Sequence, residues 1–147
     1  MTPPPEQRRS HYAHWLNVPT RWMDNDVFGH VNNVTYYSYF DTAANDFLIR
    51  EGQFDFQSSD VVGFVVASSC EYYKPIAHPD TLALGVRVNR LGRSSVEYGI
   101  AVFRHEDEEA AAVGRFTHVF VSRASQRSVP IPDTLRAALD ALAARVD

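Results

Sequence analysis

Between positions 34 and 50 the chain carries one long stretch of helical periodicity, and it is apolar on nearly every side. Val34, Tyr37, Phe40, Ala44, Phe47 and Leu48 recur at three- and four-residue spacing. Tyr36, Tyr39, Ala43 and Ile49 spread apolar character around the rest. A helix that is apolar all round is a buried one. Asn32 or Asn33 is suited to cap its start, and Gly52 to cap its end behind Arg50. The rest of the chain must therefore supply a surface that surrounds this helix.

That surface reads as sheet. His14 to Trp22 is β-compatible, with Pro19 arguing for an edge position or a break. After a polar loop at 55–60 the period becomes two. Val62, Phe64, Val66, Ser68, Cys70 and Tyr72 alternate with Gly63, Val65, Ala67, Ser69, Glu71 and Tyr73. Further strands follow at Leu82–Asn89, Val96–Val102 and Ala112–Ser122. Long strands in succession, joined by short turns, predict an antiparallel meander. Pro130 and Pro132 break the chain. Asp133 or Thr134 then caps a terminal helix with Leu135, Leu139 and Leu142 on one side.

One long helix and one sheet share a core only if the sheet curls around the helix. The expected fold class is α+β, an antiparallel sheet of five to six strands wrapped around one long central helix, with a short C-terminal helix. Residues 1–11, with three consecutive prolines, are expected to form a flexible tail, and 12–147 a single domain. The outer sheet face also needs cover, which favours oligomers.

At 147 residues and 45% hydrophobic, the chain can bury a core unaided. A net charge of −4 removes the global basic field of a nucleic-acid binder. All the cations but Lys74 are arginines, so a local anion site stays open. Cys70 is the only cysteine, which fits a reducing compartment and a packing role. No apolar run approaches the ~20 residues of a membrane span. The N-terminal residues lack the apolar core of a signal peptide, so a cytoplasmic location is expected. The histidines show no metal-ligand spacing, and no Gly-rich phosphate loop or nucleophile elbow occurs. Neither a metal nor a cofactor is expected.

The chemistry concentrates before the long helix, in Asp24-Asn25-Asp26-Val27-Phe28-Gly29-His30-Val31-Asn32-Asn33. Asp26 precedes a helix N-terminus, whose free N–H groups and positive dipole end bind anions. A carboxylate beside such a group is a minimal kit for acyl transfer: one attacks or activates water, the other stabilises the oxyanion. The plainer reading is that Asp24 and Asp26 only cap turns. A second polar constellation, Arg87, Asn89, Arg90, Arg93 and Ser94, spans a strand end and a turn.

The run Asp24-x-Asp26-x-x-Gly29-His30-Val31-Asn32-Asn33, followed by Tyr36, Tyr39 and Phe40, resembles the signature of the 4-hydroxybenzoyl-CoA thioesterase-like family of hot-dog-fold acyl-CoA thioesterases. The resemblance covers about residues 12 to 140 and implies hydrolysis of an acyl thioester to free CoA and a carboxylic acid. It places the catalytic carboxylate, nucleophile or general base, on Asp26. It places the carbonyl-polarising backbone N–H on Asn33, where some relatives carry a histidine. His30 reads as a loop organiser first and as a proton partner or water orienter second, and Asp24 as a loop anchor, since two close desolvated carboxylates would drive one protonated. Arg93 and Ser94, with Arg90 beside them, fall where the family meets CoA phosphates; the CoA moiety belongs to the substrate and no separate cofactor is implied. Family members form homodimers, often paired into homotetramers, with active sites between subunits. Phe64, Val65, Phe116 and Phe120 suggest apolar walls for the acyl group. The alternatives are a non-catalytic acyl-CoA or acyl-carrier binding module, and a hot-dog enoyl-thioester hydratase or dehydratase using His30.

Overall fold

The computed structural model describes residues 4–145. Strand β1 is His14–Pro19, helix α1 Thr35–Arg50, β2 Val61–Tyr72, β3 Thr81–Leu91, β4 Ser95–Arg104, β5 Ala112–Ser122 and helix α2 Asp133–Arg145. The strands form one antiparallel sheet in the order β1-β3-β4-β5-β2. Helix α1 touches all of them. This is the hot-dog arrangement expected for a wrapped helix.

The helix is held by shape as much as by apolarity. Phe40, Ala43, Ala44, Phe47 and Leu48 are fully buried against the inward row Leu82, Leu84, Val86, Val96, Tyr98, Ile100 and Val102. Phe40 lies where β5 has no side chain: a Cβ on Gly114 would stand 2.4 Å from its ring. Helix α2 buries Leu135, Leu139 and Leu142, as its spacing predicts, and plugs the end of the core near the β3–β4 turn. Gly52 is needed there for close approach, since a Cβ would stand 2.5 Å from Leu135 Cδ2. It does not supply the left-handed cap; Gln53 does, at φ 52°.

The structure changes several sequence expectations. The four successive strands are not a full meander. Strand β2 pairs with β5, so only β3, β4 and β5 run as consecutive neighbours. The link from Tyr73 to Asp80 carries the chain across the sheet end. Its residues can span ~26 Å, whereas three strand spacings need only ~14 Å. The period-two reading of β2 also fails midway. Gly63 pairs with Phe120 and Val65 with His118, but Ser68 then pairs with Phe116 and Cys70 with Gly114. The extra residue at the bulge between Val65 and Ala67 switches which side chains face the helix.

Residues 5–11 are not a loose tail. Two 3-10 turns, Pro5–Gln7 and Arg9–His11, lie on the outer sheet face. Gln7 is buried, and its carbonyl accepts from the Ala110 N–H at 2.8 Å. The Arg9 guanidinium sits 4.8 Å from the Phe103 ring centroid. Tyr12 packs over Gly85, where a Cβ would come within 2.8 Å of it. Prolines that cannot open a helix interior are well suited to fix such short turns. Part of the outer face is thus covered by the chain itself.

Candidate active site

Asp24 anchors the loop. It is 1% exposed. Its Oδ2 accepts from the Arg21 N–H at 2.9 Å and from the Tyr39 hydroxyl at 2.8 Å, and Oδ1 accepts from the Arg21 guanidinium at 2.9 and 3.0 Å. Burial by itself would raise its pKa. The Arg21 backbone and side-chain bonds and the Tyr39 hydroxyl outweigh burial and hold it below the ordinary 3.8. Its carbonyl takes the Asn32 N–H at 2.9 Å, tying the loop to the helix start. Both its oxygens are engaged, by Arg21 of the loop and by Tyr39 of α1, so Asp24 ties the loop to the helix.

Asp26 is half-buried and differently placed. Its Oδ1 accepts from the Phe28 N–H at 2.9 Å, an Asx turn, while among the described residues Oδ2 has only a long 3.4 Å contact from Asn32 Nδ2. The Asp26 carbonyl accepts from Gly29 N–H at 3.1 Å. That turn requires φ +86° at Gly29, a value glycine adopts without strain. The Asp26 N–H donates to the His30 carbonyl at 2.9 Å. One carboxylate oxygen is fixed and the other is nearly free.

Neither Asn32 nor Asn33 is the helix cap: that position is Val34, without a side-chain cap bond, and Asn32 shapes the turn just before it. Asn32 Oδ1 accepts from the Val34 N–H and its carbonyl from Thr35 N–H, both at 2.9 Å. The Asn33 carbonyl accepts from the Tyr72 hydroxyl at 2.9 Å. Among the described residues no acceptor meets the Asn33 N–H. His30 and Asn33 line one cleft of about 290 Å³ together with Tyr36, Tyr72, Lys74 and Pro75. Tyr36 is buried there, and burial pushes its hydroxyl up to about 12, so it stays neutral. Asp26 is joined to this cleft through the loop and Asn32, not as part of its lining.

Arg90, Arg93 and Ser94 are elsewhere. The Asp26 loop is fastened to the start of β3, where Asn25 Oδ1 accepts from the His78 N–H at 2.9 Å. The arginines lie at the other end of that strand, roughly 33 Å away at ordinary strand rise. Arg90 and Arg93 are exposed, and the Arg93 carbonyl accepts from Ile131 N–H at 3.0 Å. Within one chain they do not meet Asp26. The apolar-wall expectation also changes: Phe116 and Phe120 are core residues, 3% and 0% exposed, while Phe64 stands 61% exposed on the outer edge strand.

Lys74 and Pro75 were not among the site residues expected from the sequence. Their link crosses the sheet end because β2 does not pair with β3, and a local pattern does not show that crossing. Its contact with the loop is direct, as Ile76 C=O accepts from Val31 N–H at 2.7 Å. Among the described residues no three His, Cys, Asp or Glu side chains group as metal ligands. No described helix is long and apolar enough to cross a membrane.

A wrapped helix entered through an aspartate loop, with an unspent N–H just before its first turn, defines a hot-dog protein of the thioesterase type. The family model described as "Thioesterase-like superfamily" matches residues 18–139, and the chain belongs to that superfamily. The chain is similar to the crystal structure of the PA5185 protein from Pseudomonas aeruginosa strain PAO1. The two are 54% identical with a TM-score of 0.91, over 92% of this chain and 95% of that one. It is also similar to a thioesterase from Thermus thermophilus solved with coenzyme A and Zn, at 29% identity and TM-score 0.76, over 91% and 96% of the two chains. The long-chain acyl-CoA thioesterase FadM of Escherichia coli strain K12 is 23% identical over 124 residues, 84% of this chain and 94% of that protein.

Proposed function

We propose that the protein hydrolyses a small-molecule acyl thioester, releasing free CoA and a carboxylic acid, with Asp26 as nucleophile or general base. The observation that carries this reading is the unequal use of the Asp26 oxygens beside a helix start whose Asn33 N–H is unspent. As general base, Oδ2 takes a proton from water while the oxygen adds to the thioester carbon. The carbonyl oxygen, now an oxyanion, accepts from the Asn33 N–H. Collapse breaks the carbon–sulfur bond, and the departing thiolate recovers the proton. As nucleophile, Oδ2 itself adds and expels the thiolate, and water then hydrolyses the mixed anhydride. Both routes need Asp26 ionised and neither needs a metal or cofactor. His30, on the cleft wall, orients the loop or the water.

The names of its relatives support CoA thioesters as the substrate class: long-chain acyl-CoA for FadM and coenzyme A for the Thermus thermophilus enzyme. Arg90, Arg93 and Ser94, as phosphate contacts, would serve a ligand held by another copy. A second copy is favoured by β2, an edge strand whose Phe64 and Val66 are 61% and 54% exposed. The test is free-thiol release from short, medium, long and aromatic acyl-CoAs. Asp26→Asn is expected to lower turnover by about 10² to 10⁴-fold with the fold intact by circular dichroism. Wild-type turnover in that variant would reject the assignment. Binding without turnover across the panel would mark a binding module instead.

A further inference from the structure

We propose that Tyr72 is a positioning residue of the thioester site: from the end of the sheet, its hydroxyl fixes the Asn33 peptide and so keeps the Asn33 N–H turned outward from the helix start. The inference rests on the thioester reading of the Asp26 loop and adds a residue on which the oxyanion donor of that reading depends.

The Asn33 N–H belongs to the Asn32–Asn33 peptide. The carbonyl of that peptide accepts from the Thr35 N–H at 2.9 Å, so it points toward the helix. In a planar trans unit the N–H points the opposite way. The next peptide, Asn33–Val34, is held at both ends. Its N–H donates to Asn32 Oδ1 at 2.9 Å, and its carbonyl accepts from the Tyr72 hydroxyl at 2.9 Å. The two soft dihedrals of Asn33 lie between these planes and are set by the three bonds together. Two of the three are internal to residues 32–35 and travel with the loop when it moves. The third comes from β2 and ties the helix entrance to the sheet. An ordinary helix would offer the Asn33 carbonyl the N–H four residues on. Here that N–H, of Tyr37, donates to the Val34 carbonyl at 3.2 Å, and the Asn33 carbonyl goes to the tyrosine.

Tyr72 is itself well held. It closes β2 in register with Ala112, and the next N–H, of Tyr73, donates to the Ala111 carbonyl at 2.8 Å. Its ring stands edge-on to the buried Tyr36 ring, with centroids 5.0 Å apart. Partial burial, then Cys70, raises the hydroxyl above its ordinary 10, so it stays a donor. A fixed N–H stabilises the charge that develops on the thioester oxygen more than it stabilises the resting substrate. Loss of the hydroxyl is therefore felt in the chemical step rather than in binding.

The test is Tyr72→Phe in the full chain, which keeps the ring and removes the hydroxyl. With the acyl-CoA that wild type hydrolyses best, kcat is expected to fall about five- to tenfold and KM to stay within about twofold. The pH profile should keep its shape, because Asp26 is untouched. In the ¹⁵N-labelled protein the Asn33 and Val34 amide signals should move or broaden, while those of the β2–β5 ladder stay in place. The unfolding midpoint should remain near wild type, since Tyr72 is 44% exposed. Wild-type kcat in Tyr72→Phe, or unchanged Asn33 and Val34 signals, overturns the proposal. A higher KM at unchanged kcat would make Tyr72 a substrate contact, and loss of one limb of the pH profile would make it a proton donor; either overturns the positioning role. A wild-type protein that hydrolyses no thioester overturns the thioester reading itself, and the proposal with it.

Discussion

Residue by residue, the molecule separates titratable groups that work in place from those that are walled in. His118 is 2% exposed, inside a ring of Tyr98, Phe116 and Phe120, and its Nδ1 faces the Tyr98 hydroxyl at 3.2 Å. Burial pushes its pKa down from 6.5 to about 4. The folded chain therefore keeps it neutral over a range in which the unfolded chain takes up a proton. Stability from this residue is intact above pH 6.5 and falls as pH drops from 6.5 toward 4, where the folded form also protonates. The slope approaches about 1.4 kcal/mol per pH unit within that window. Thermal unfolding across it should show a steep loss in wild type and a flatter one in His118→Phe, which keeps the ring and removes the titration. Equal slopes would mean that other groups set the acid sensitivity. The division between Asp24 and Asp26 was legible from sequence as a motif, but the reason lies in contacts the motif does not print. Arg21 and Tyr39 consume the oxygens of Asp24, whereas Asp26 gives up only one to its own turn.

At the level of elements, what depended on local periodicity could be read and what depended on partners could not. The expected helix at 34–50 is Thr35–Arg50, and the last strand is Ala112–Ser122 as read. The pairing of β2 with β5 was hidden because neighbours in sequence are the usual neighbours in a sheet. The bulge near Val66 was hidden because every residue around it is apolar or small, so a slip of one position leaves no mark in the pattern. Helix seating was likewise illegible, since a glycine in a strand says nothing of which ring will fill its space. Gly114 admits Phe40, and an alanine there would set its Cβ 2.4 Å from the Cε2 and Cζ atoms of a fully buried ring. Alanine gains about 0.5–1 kcal/mol over glycine in backbone entropy, and the forced shift of a packed ring costs about 1–3 kcal/mol. The clash wins. Gly114→Ala should lower the urea midpoint, and Gly114→Ala with Phe40→Leu should unfold closer to Phe40→Leu than additivity allows. Additive losses in the two substitutions would show that the contact is not the cause.

For the whole molecule, the open question is what covers β2. Its far neighbour is β5 on one side, and the other side is an edge. Phe64, Val65 and Val66 are 61%, 39% and 54% exposed along it, and the strand has no proline and no charge before Glu71 to guard that edge. Two copies joined antiparallel through this edge would each pair every open ladder group of the other and bury those side chains, an isologous contact that closes on itself. The geometry has a functional side. In such a pair the Val61 end of one strand lies beside the Tyr72 end of the other, so the Phe56 loop and the Arg123–Arg127 turn of one copy approach the Asn33 cleft of its partner. The cleft is shallow in one chain and would be walled by two. Sedimentation should therefore give a mass of at least twice the 16.6 kDa of a single chain. The double substitution Phe64→Lys with Val66→Lys places like charges across the two-fold axis while leaving the β2–β5 ladder intact. It should shift the protein to monomer and, with the far-ultraviolet spectrum unchanged, cut thioester turnover by about tenfold or more, because the partner's wall no longer excludes water from the reacting carbon. A monomer with full turnover would show that one chain holds the whole site.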